Sequence, residues 1–293
     1  MRANFLLAAA ACLGLTSALP TEDVAALEER QTRVPTIFLC GDSTVATVGA
    51  SSQTQGWGAF LQYSFQTSRA IVDNRAIGGR SARSYTREGR FDTVANLAQP
   101  GDWVVIELGH NDGGSLSTDN GRSACFGDGE QTCSTVYNGV AETVLTFPKY
   151  LKNAANKMLA KGAKVIISTS TPRNVWQTGS YAWSPPRFHY YGWPPPQQLG
   201  DPANGVYFLP HGEYGAQAQR NLGASTVNAG YPVDHLHPGP FIADAMAKSF
   251  VLALRCGTTA LGDLVRNSTS SLTSTYLGPC IGPANSTISA LLR

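Results

Sequence analysis

Charge is scarce in this chain. Only 14% of its 293 residues are Asp, Glu, Lys or Arg, and the formal net charge is +2. Nucleic-acid binding calls for a strong basic stripe, which this balance does not supply. Long apolar runs are also missing. The run from Phe5 to Leu15 falls short of the roughly 20 residues a membrane-spanning helix needs, and no later run reaches that length. No internal repeat, low-complexity block or long linker divides residues 34–293, which therefore read as a single domain.

The start of the chain is informative. Arg2, the short apolar run and the small residues Thr16-Ser17-Ala18 make a secretory signal peptide over residues 1–18. Residues 19–33, rich in Glu, read as a short propeptide or flexible tail. The mature protein is expected to be secreted and extracellular, with no membrane partner. Cysteine usage suits that compartment. Cys12 leaves with the signal, and Cys40 sits inside an apolar run, where a free thiol behaves as a small hydrophobe. Cys125, Cys133, Cys256 and Cys280 remain, and four cysteines allow three connectivities. Loop closure favours Cys125–Cys133 and Cys256–Cys280 without deciding the matter. Sequons at Asn267 and Asn285 are candidate glycosylation sites.

Strand-like apolar runs occur at Thr36–Cys40, Ala70–Asp73, Trp103–Leu108 and Ala163–Ser168, with a weaker one at Val206–Leu209. Helices are expected at Trp57–Gln66, Tyr137–Ala160 and Pro240–Leu254; the middle one carries Val140, Val144, Phe147, Leu151, Ala155 and Leu159 at helical spacing. Apolar strands alternating with helices indicate an α/β fold with a parallel sheet covered on both faces. Residues 173–205 fit less easily. Tyr190-Tyr191-Gly192-Trp193-Pro194-Pro195-Pro196 predicts an extended aromatic–proline loop, because proline cannot continue a helix.

Chemistry gathers at the strand ends. Ser43 follows the first run in Gly41-Asp42-Ser43, at the edge where open α/β sheets bind ligands. A serine nucleophile needs a base, and Asp234-His235-Leu236-His237 offers His237 with Asp234 to orient it. His235 is the weaker candidate, since adjacent residues of an extended chain face opposite ways. Gly109-His110-Asn111-Asp112 ends another apolar run, so the Asn111 amide, the Ser43 N–H and the Gly79 N–H are candidate oxyanion donors. Arg80, Arg83, Arg87 and Arg90, spaced three, four and three, would lie near one face of a helix. They are either structural ion pairs or a subsite for an acidic polymer, with Arg80 and Arg83 the binding candidates. A zinc site on His110, His235 and His237 lacks a persuasive third spacing, so neither metal nor cofactor is expected.

Gly41-Asp42-Ser43, Gly79, Gly109-His110-Asn111-Asp112 and Asp234-His235-Leu236-His237 resemble the four ordered blocks of the SGNH (GDSL) hydrolase family. The run Asn74–Phe91 and the segment Gly109–Arg122 are similar to its rhamnogalacturonan acetylesterase branch. The resemblance implies a three-layer α/β/α sandwich of flavodoxin-like type with a five-stranded parallel sheet. It implies Ser43 as nucleophile, His237 as base then acid, and Asp234 as its orienter. Ser43, Gly79 and Asn111 would form the oxyanion hole, and the Cys125–Cys133 and Cys256–Cys280 pairs match that family's disulfides. The implied partner is an acidic plant cell-wall polysaccharide, acetylated rhamnogalacturonan, attacked by a monomer. Competing readings are another SGNH esterase (xylan acetylesterase or lipase) and a catalytically impaired pectin-binding protein.

Overall fold

A computed structural model describes residues 33–282. The expected signal peptide, almost all of the 19–33 tail, Cys12 and the Asn285 sequon lie outside the described residues. Every apolar run expected to be a strand forms one. These are β1 (Thr36–Gly41), β2 (Ile71–Asn74), β3 (Trp103–Glu107) and, after the hairpin strands β4 (Thr132–Tyr137) and β5 (Val140–Leu145), β6 (Lys164–Ser168) and β7 (Val206–Leu209). The main sheet has the order β2-β1-β3-β6-β7, all parallel. Direction of strand order reverses between β1 and β3, which makes their carboxyl ends the crevice of a flavodoxin-like sheet.

Two apolar layers cover the sheet because successive side chains point to opposite faces. Ile37, Leu39, Trp103, Val105 and Ile166 pack on one side, and Phe38, Cys40, Val104, Ile106 and Ile167 on the other. The helices are α1 (Ala82–Arg87), α2 (Arg90–Leu97), α3 (Phe147–Leu159), α4 (Arg187–Gly192), α5 (Pro194–Gln198), α6 (His211–Ala229) and α7 (Pro240–Cys256). The first layer meets α6 and α7 through Tyr214, Met246 and Phe250; the second meets α1 to α3 through Tyr85, Phe91, Leu151 and Met158. Each such fully buried side chain contributes roughly 1.5–3 kcal/mol. A short helix, α8 (Thr269–Thr273), follows. Among the described residues no helix is long and apolar enough to cross a membrane.

The helix expected over Tyr137–Ala160 is half hairpin. Asn138 and Gly139 both adopt positive φ, 52° and 78°, joining β4 to β5 through a two-residue turn of the type Asn-Gly favours. Val144 is buried whereas Val140 is 66% exposed, so their shared helical spacing was coincidental. The helix starts only at Phe147, where Thr146 caps the Lys149 N–H and Pro148 occupies the first turn. Residues 57–66 form two 3₁₀ turns, Trp57–Ala59 and Leu61–Ser64, in place of a helix. The 187–198 segment is helical, not an extended loop. Its prolines fall in the first turn of α5, where a missing N–H costs nothing.

Both disulfides, Cys125–Cys133 and Cys256–Cys280, form, with Cα separations of 5.5 and 5.6 Å. Cys40 is a free, buried thiol, and burial pushes its pKa up to about 12. Asn267 is exposed, just before the Ser268 cap of α8.

Candidate active site

Ser43 owes its position to a tight turn at the end of β1. The Asp42 carbonyl accepts the Val45 and Ala46 N–H groups, and its carboxylate Oδ1 accepts the Thr44 N–H and hydroxyl at 2.9 and 2.8 Å. Gly41 is required by space, since a Cβ there would fall 2.5 Å from Val45. Gly41, Asp42 and Thr44 are buried, while Ser43 between them is only partly covered. The turn thus hides its own scaffold and presents the hydroxyl.

The Ser43 Oγ lies 2.9 Å from His237 Nε2, and His237 Nδ1 lies 2.7 Å from Asp234 Oδ2. These three residues are brought together across 194 positions of sequence. The other Asp234 oxygen accepts the N–H groups of Leu236 and His237, each at 2.7 Å. Burial alone would raise the Asp234 carboxyl, but these hydrogen bonds outweigh it and hold the group down at about 2. Asp234 does not cap the following helix; Gly239 stands at that N-terminus. The loop is anchored instead by the Pro238 carbonyl, which accepts the Gln55 N–H, and by the Gly239 N–H, which donates to Gly230. His235 is exposed, and its backbone carbonyl accepts the Asn174 N–H at 2.9 Å.

The Gly78-Gly79 turn reaches Ser43. A Cβ on Gly78 would lie 3.6 Å from that of Ser43, and Gly79 adopts φ 75°. Asn111 joins the same turn by donating its amide to the Arg80 carbonyl at 3.1 Å. Its Oδ1 accepts from Arg122 Nη1 at 3.2 Å. The amide orientation is thereby fixed, leaving its second N–H for a ligand. Arg122 was not singled out from sequence. Eleven residues separate it from Asn111, and only the fold returns it to the crevice.

Beneath the crevice lies a second feature with no sequence signal. Glu107, at the end of β3, is buried and accepts from Trp57 Nε1, Ser168 Oγ and His211 Nδ1 at 2.7–2.8 Å. His211 Nε2 bonds the Met246 carbonyl at 2.8 Å. This satisfied polar hub ties β3, β6, α6 and α7 at the functional edge of the sheet.

The arginine cluster requires a correction. Gly89 adopts φ 67° and splits the stretch into α1 and α2, so the four side chains share no single helical face. Arg83, expected to bind substrate, is completely buried and forms paired hydrogen bonds to both Asp119 and Glu142 at 2.7–2.8 Å. No donor is left over for a ligand. Its hydrogen bonds hold the Asp119 carboxyl at about 2. Arg80 is partly exposed but pairs with Glu88, which Arg90 also contacts, and Arg87 shares Glu142. The structural ion-pair reading describes the cluster.

The GDSL-like lipase/acylhydrolase family matches residues 39–240. A rhamnogalacturonan acetylesterase of Emericella nidulans is 51% identical over 230 residues, 78% of this chain and 89% of that protein. A probable rhamnogalacturonan acetylesterase, YesY of Bacillus subtilis, is 32% identical over half of this chain and 58% of its own length. Among solved structures, YxiM from Bacillus subtilis superimposes with a TM-score of 0.60 at 23% identity, over 76% of this chain and 56% of that one, a likeness of fold. With its Gly-Asp-Ser turn, strand order and these matches, the chain belongs to the GDSL-like lipase/acylhydrolase family.

Proposed function

We propose that this ester hydrolase is a secreted serine esterase that removes acetyl groups from galacturonate of the rhamnogalacturonan backbone of pectin, through an acetyl-enzyme on Ser43. The single observation that carries the mechanism is the unbroken line from Ser43 Oγ through the His237 ring to Asp234, at 2.9 and 2.7 Å. Similarity to the Emericella nidulans acetylesterase supports the substrate.

In the reaction His237 Nε2 takes the Ser43 proton as Oγ attacks the acetyl carbonyl. Asp234 stays ionised, fixes the tautomer and stabilises the imidazolium. The Asn111 amide, the Ser43 N–H and the Gly79 N–H receive the oxyanion, with Arg122 orienting the amide. The imidazolium then protonates the departing sugar oxygen. Water, deprotonated by the same ring, releases acetate and restores Ser43. The protein acts as a monomer and needs neither cofactor nor metal. The test is acetate release from acetylated rhamnogalacturonan and from acetylated xylan, by the wild type and by Ser43→Ala. The expected result is preference for the pectic substrate and loss in the variant. Equal rates on both polymers would remove the substrate assignment, and an active Ser43→Ala enzyme would remove the mechanism.

A further inference from the structure

Next to the nucleophile's crevice is a cavity of about 710 Å³. Gly109 and His110, immediately before Asn111, form its floor together with Thr171, whose carbonyl bonds His110 Nε2 at 3.0 Å. Its wall is the segment 172–188. Asn174 of that wall donates its backbone N–H to His235, two residues before the catalytic histidine. The cavity therefore borders the loop that carries Asn111, and one of its lining residues is hydrogen-bonded to the loop that carries His237.

The lining has a definite chemistry. No carboxylate lines it, and its one permanent charge is Arg173. That guanidinium is exposed and has no carboxylate partner among the described residues. Burial lowers the pKa of His110, so its ring does not add to the charge near neutral pH. Tyr181 and Trp183 are partly exposed aromatic walls. Tyr181 is held between Arg220, 5.2 Å from its centroid, and Trp176, 5.5 Å away; Trp183 rests on His189 at 5.7 Å. Rigid rings beside a planar, unpaired cation offer an apolar face and a carboxylate fork in one pocket. A sugar acid has the matching pair of surfaces, C–H groups on its ring and a carboxylate at its rim. An acyl chain would leave the Arg173 charge unmatched.

Resting on the esterase reading above, we propose that this cavity is a subsite for a second uronate residue of the same polysaccharide chain, beyond the acetylated one, its carboxylate on Arg173 and its ring against Tyr181 and Trp183. The subsite supplies the acid recognition that Arg83, sealed in the interior, does not.

The test compares Arg173→Ala, Arg173→Lys and Trp183→Ala on three substrates: acetylated galacturonate-containing oligosaccharides, acetylated xylo-oligosaccharides and p-nitrophenyl acetate. Arg173→Ala is expected to raise KM for the acidic oligosaccharides about tenfold or more, since charge-assisted hydrogen bonds are lost. That loss should exceed the effect on the two neutral substrates at least fivefold, shrink in Arg173→Lys and shrink with added salt. A KM on the acidic substrate within twofold of wild type, or equal losses on all three substrates, overturns the subsite. So does a wild type that prefers p-nitrophenyl octanoate to the acetate with Trp183→Ala reversing the preference, because the cavity would then hold an acyl chain. A wild type inactive on the acidic oligosaccharides but active on the neutral esters instead removes the substrate reading on which the subsite rests.

Discussion

Ser43–His237–Asp234 and Ser170–His189–Glu213 contain the same three groups joined in the same order. In the first, the contacts are 2.9 and 2.7 Å. In the second, Ser170 Oγ lies 3.3 Å from His189 Nε2, and His189 Nδ1 lies 3.0 Å from Glu213. Their surroundings differ more than their geometry does. The side chains of His237 and Asp234 are 35% and 44% exposed, whereas those of His189 and Glu213 are 2% and 6% exposed. Glu213 also accepts the Thr169 hydroxyl, and that hydroxyl accepts the Gly212 N–H, closing the second array on its own scaffold. Ser43 instead is partly exposed beside the Gly78-Gly79 turn, and Asn111 bonds the Arg80 carbonyl that follows that turn. The same constellation stands half exposed beside candidate oxyanion donors in one place and is buried as a fastener in the other, where only Ser170 borders the cavity of about 710 Å³.

The sharpest way to break the comparison is to disable the open relay. Ser43→Ala should lower kcat by about 10,000-fold or more, and Asp234→Asn by roughly 1,000- to 10,000-fold, with the melting temperature nearly unchanged. A Ser43→Ala enzyme with substantial activity would hand the reaction to the buried serine. Next in size is Arg83→Ala, which strands Asp119 without its cation and leaves Glu142 only Arg87. Chemical denaturation should reveal a loss of about 3–5 kcal/mol; a loss under 1 kcal/mol would contradict the buried-clamp description.

Asn111→Ala should cost about 100- to 1,000-fold in kcat, as removal of an oxyanion donor does. Arg122→Ala acts only through that amide, so about a tenfold drop in kcat at similar KM is expected, partly restored by Arg122→Lys. A pure KM effect would make Arg122 a substrate contact instead. For the closed array, Glu213→Gln should cost about 1–3 kcal/mol of stability while kcat stays within about threefold. A steady-state assay paired with thermal melting separates these two outcomes.

Acid sharpens the contrast further. Burial would raise the Glu213 carboxyl, yet the His189 charge and hydrogen bond bring it below its ordinary 4.5. A carboxyl depressed in the folded state contributes stability that is present above its unfolded pKa and is lost as pH falls through the folded value. Wild-type stability should therefore fall from about pH 4.5 downward, and Glu213→Gln should flatten that decline. Asp234, held at about 2, has the same sign, but its exposure to water makes its share the smallest. Equal acid sensitivity in Glu213→Gln and wild type would count against this assignment.

Much of this was legible in the residues. The strands were plain because a parallel sheet buried on both faces demands continuous apolar runs, as in Thr36–Cys40 and Ala163–Ser168. Ser43 and Asp234–His237 were visible because their chemistry is written in short motifs. Val140 and Val144 mimic helical spacing and so disguise the β4–β5 hairpin, although Asn138-Gly139 carries the turn signal. Helix α6 was not anticipated, and it breaks at Gly223, which adopts φ 79°. The burial of Arg83 leaves no local trace, because its partners Asp119 and Glu142 lie 36 and 59 residues away.

The sequence by itself determined the strands and marked Ser43, Asp234 and His237 as the candidate nucleophile and acid–base pair, since periodicity and local spacing encode them. Tertiary structure alone decided which serine–histidine pair is open to solvent and which arginines are left without a carboxylate partner. Burial and charge pairing depend on residues dozens of positions apart, and only the folded chain brings those partners within hydrogen-bonding distance.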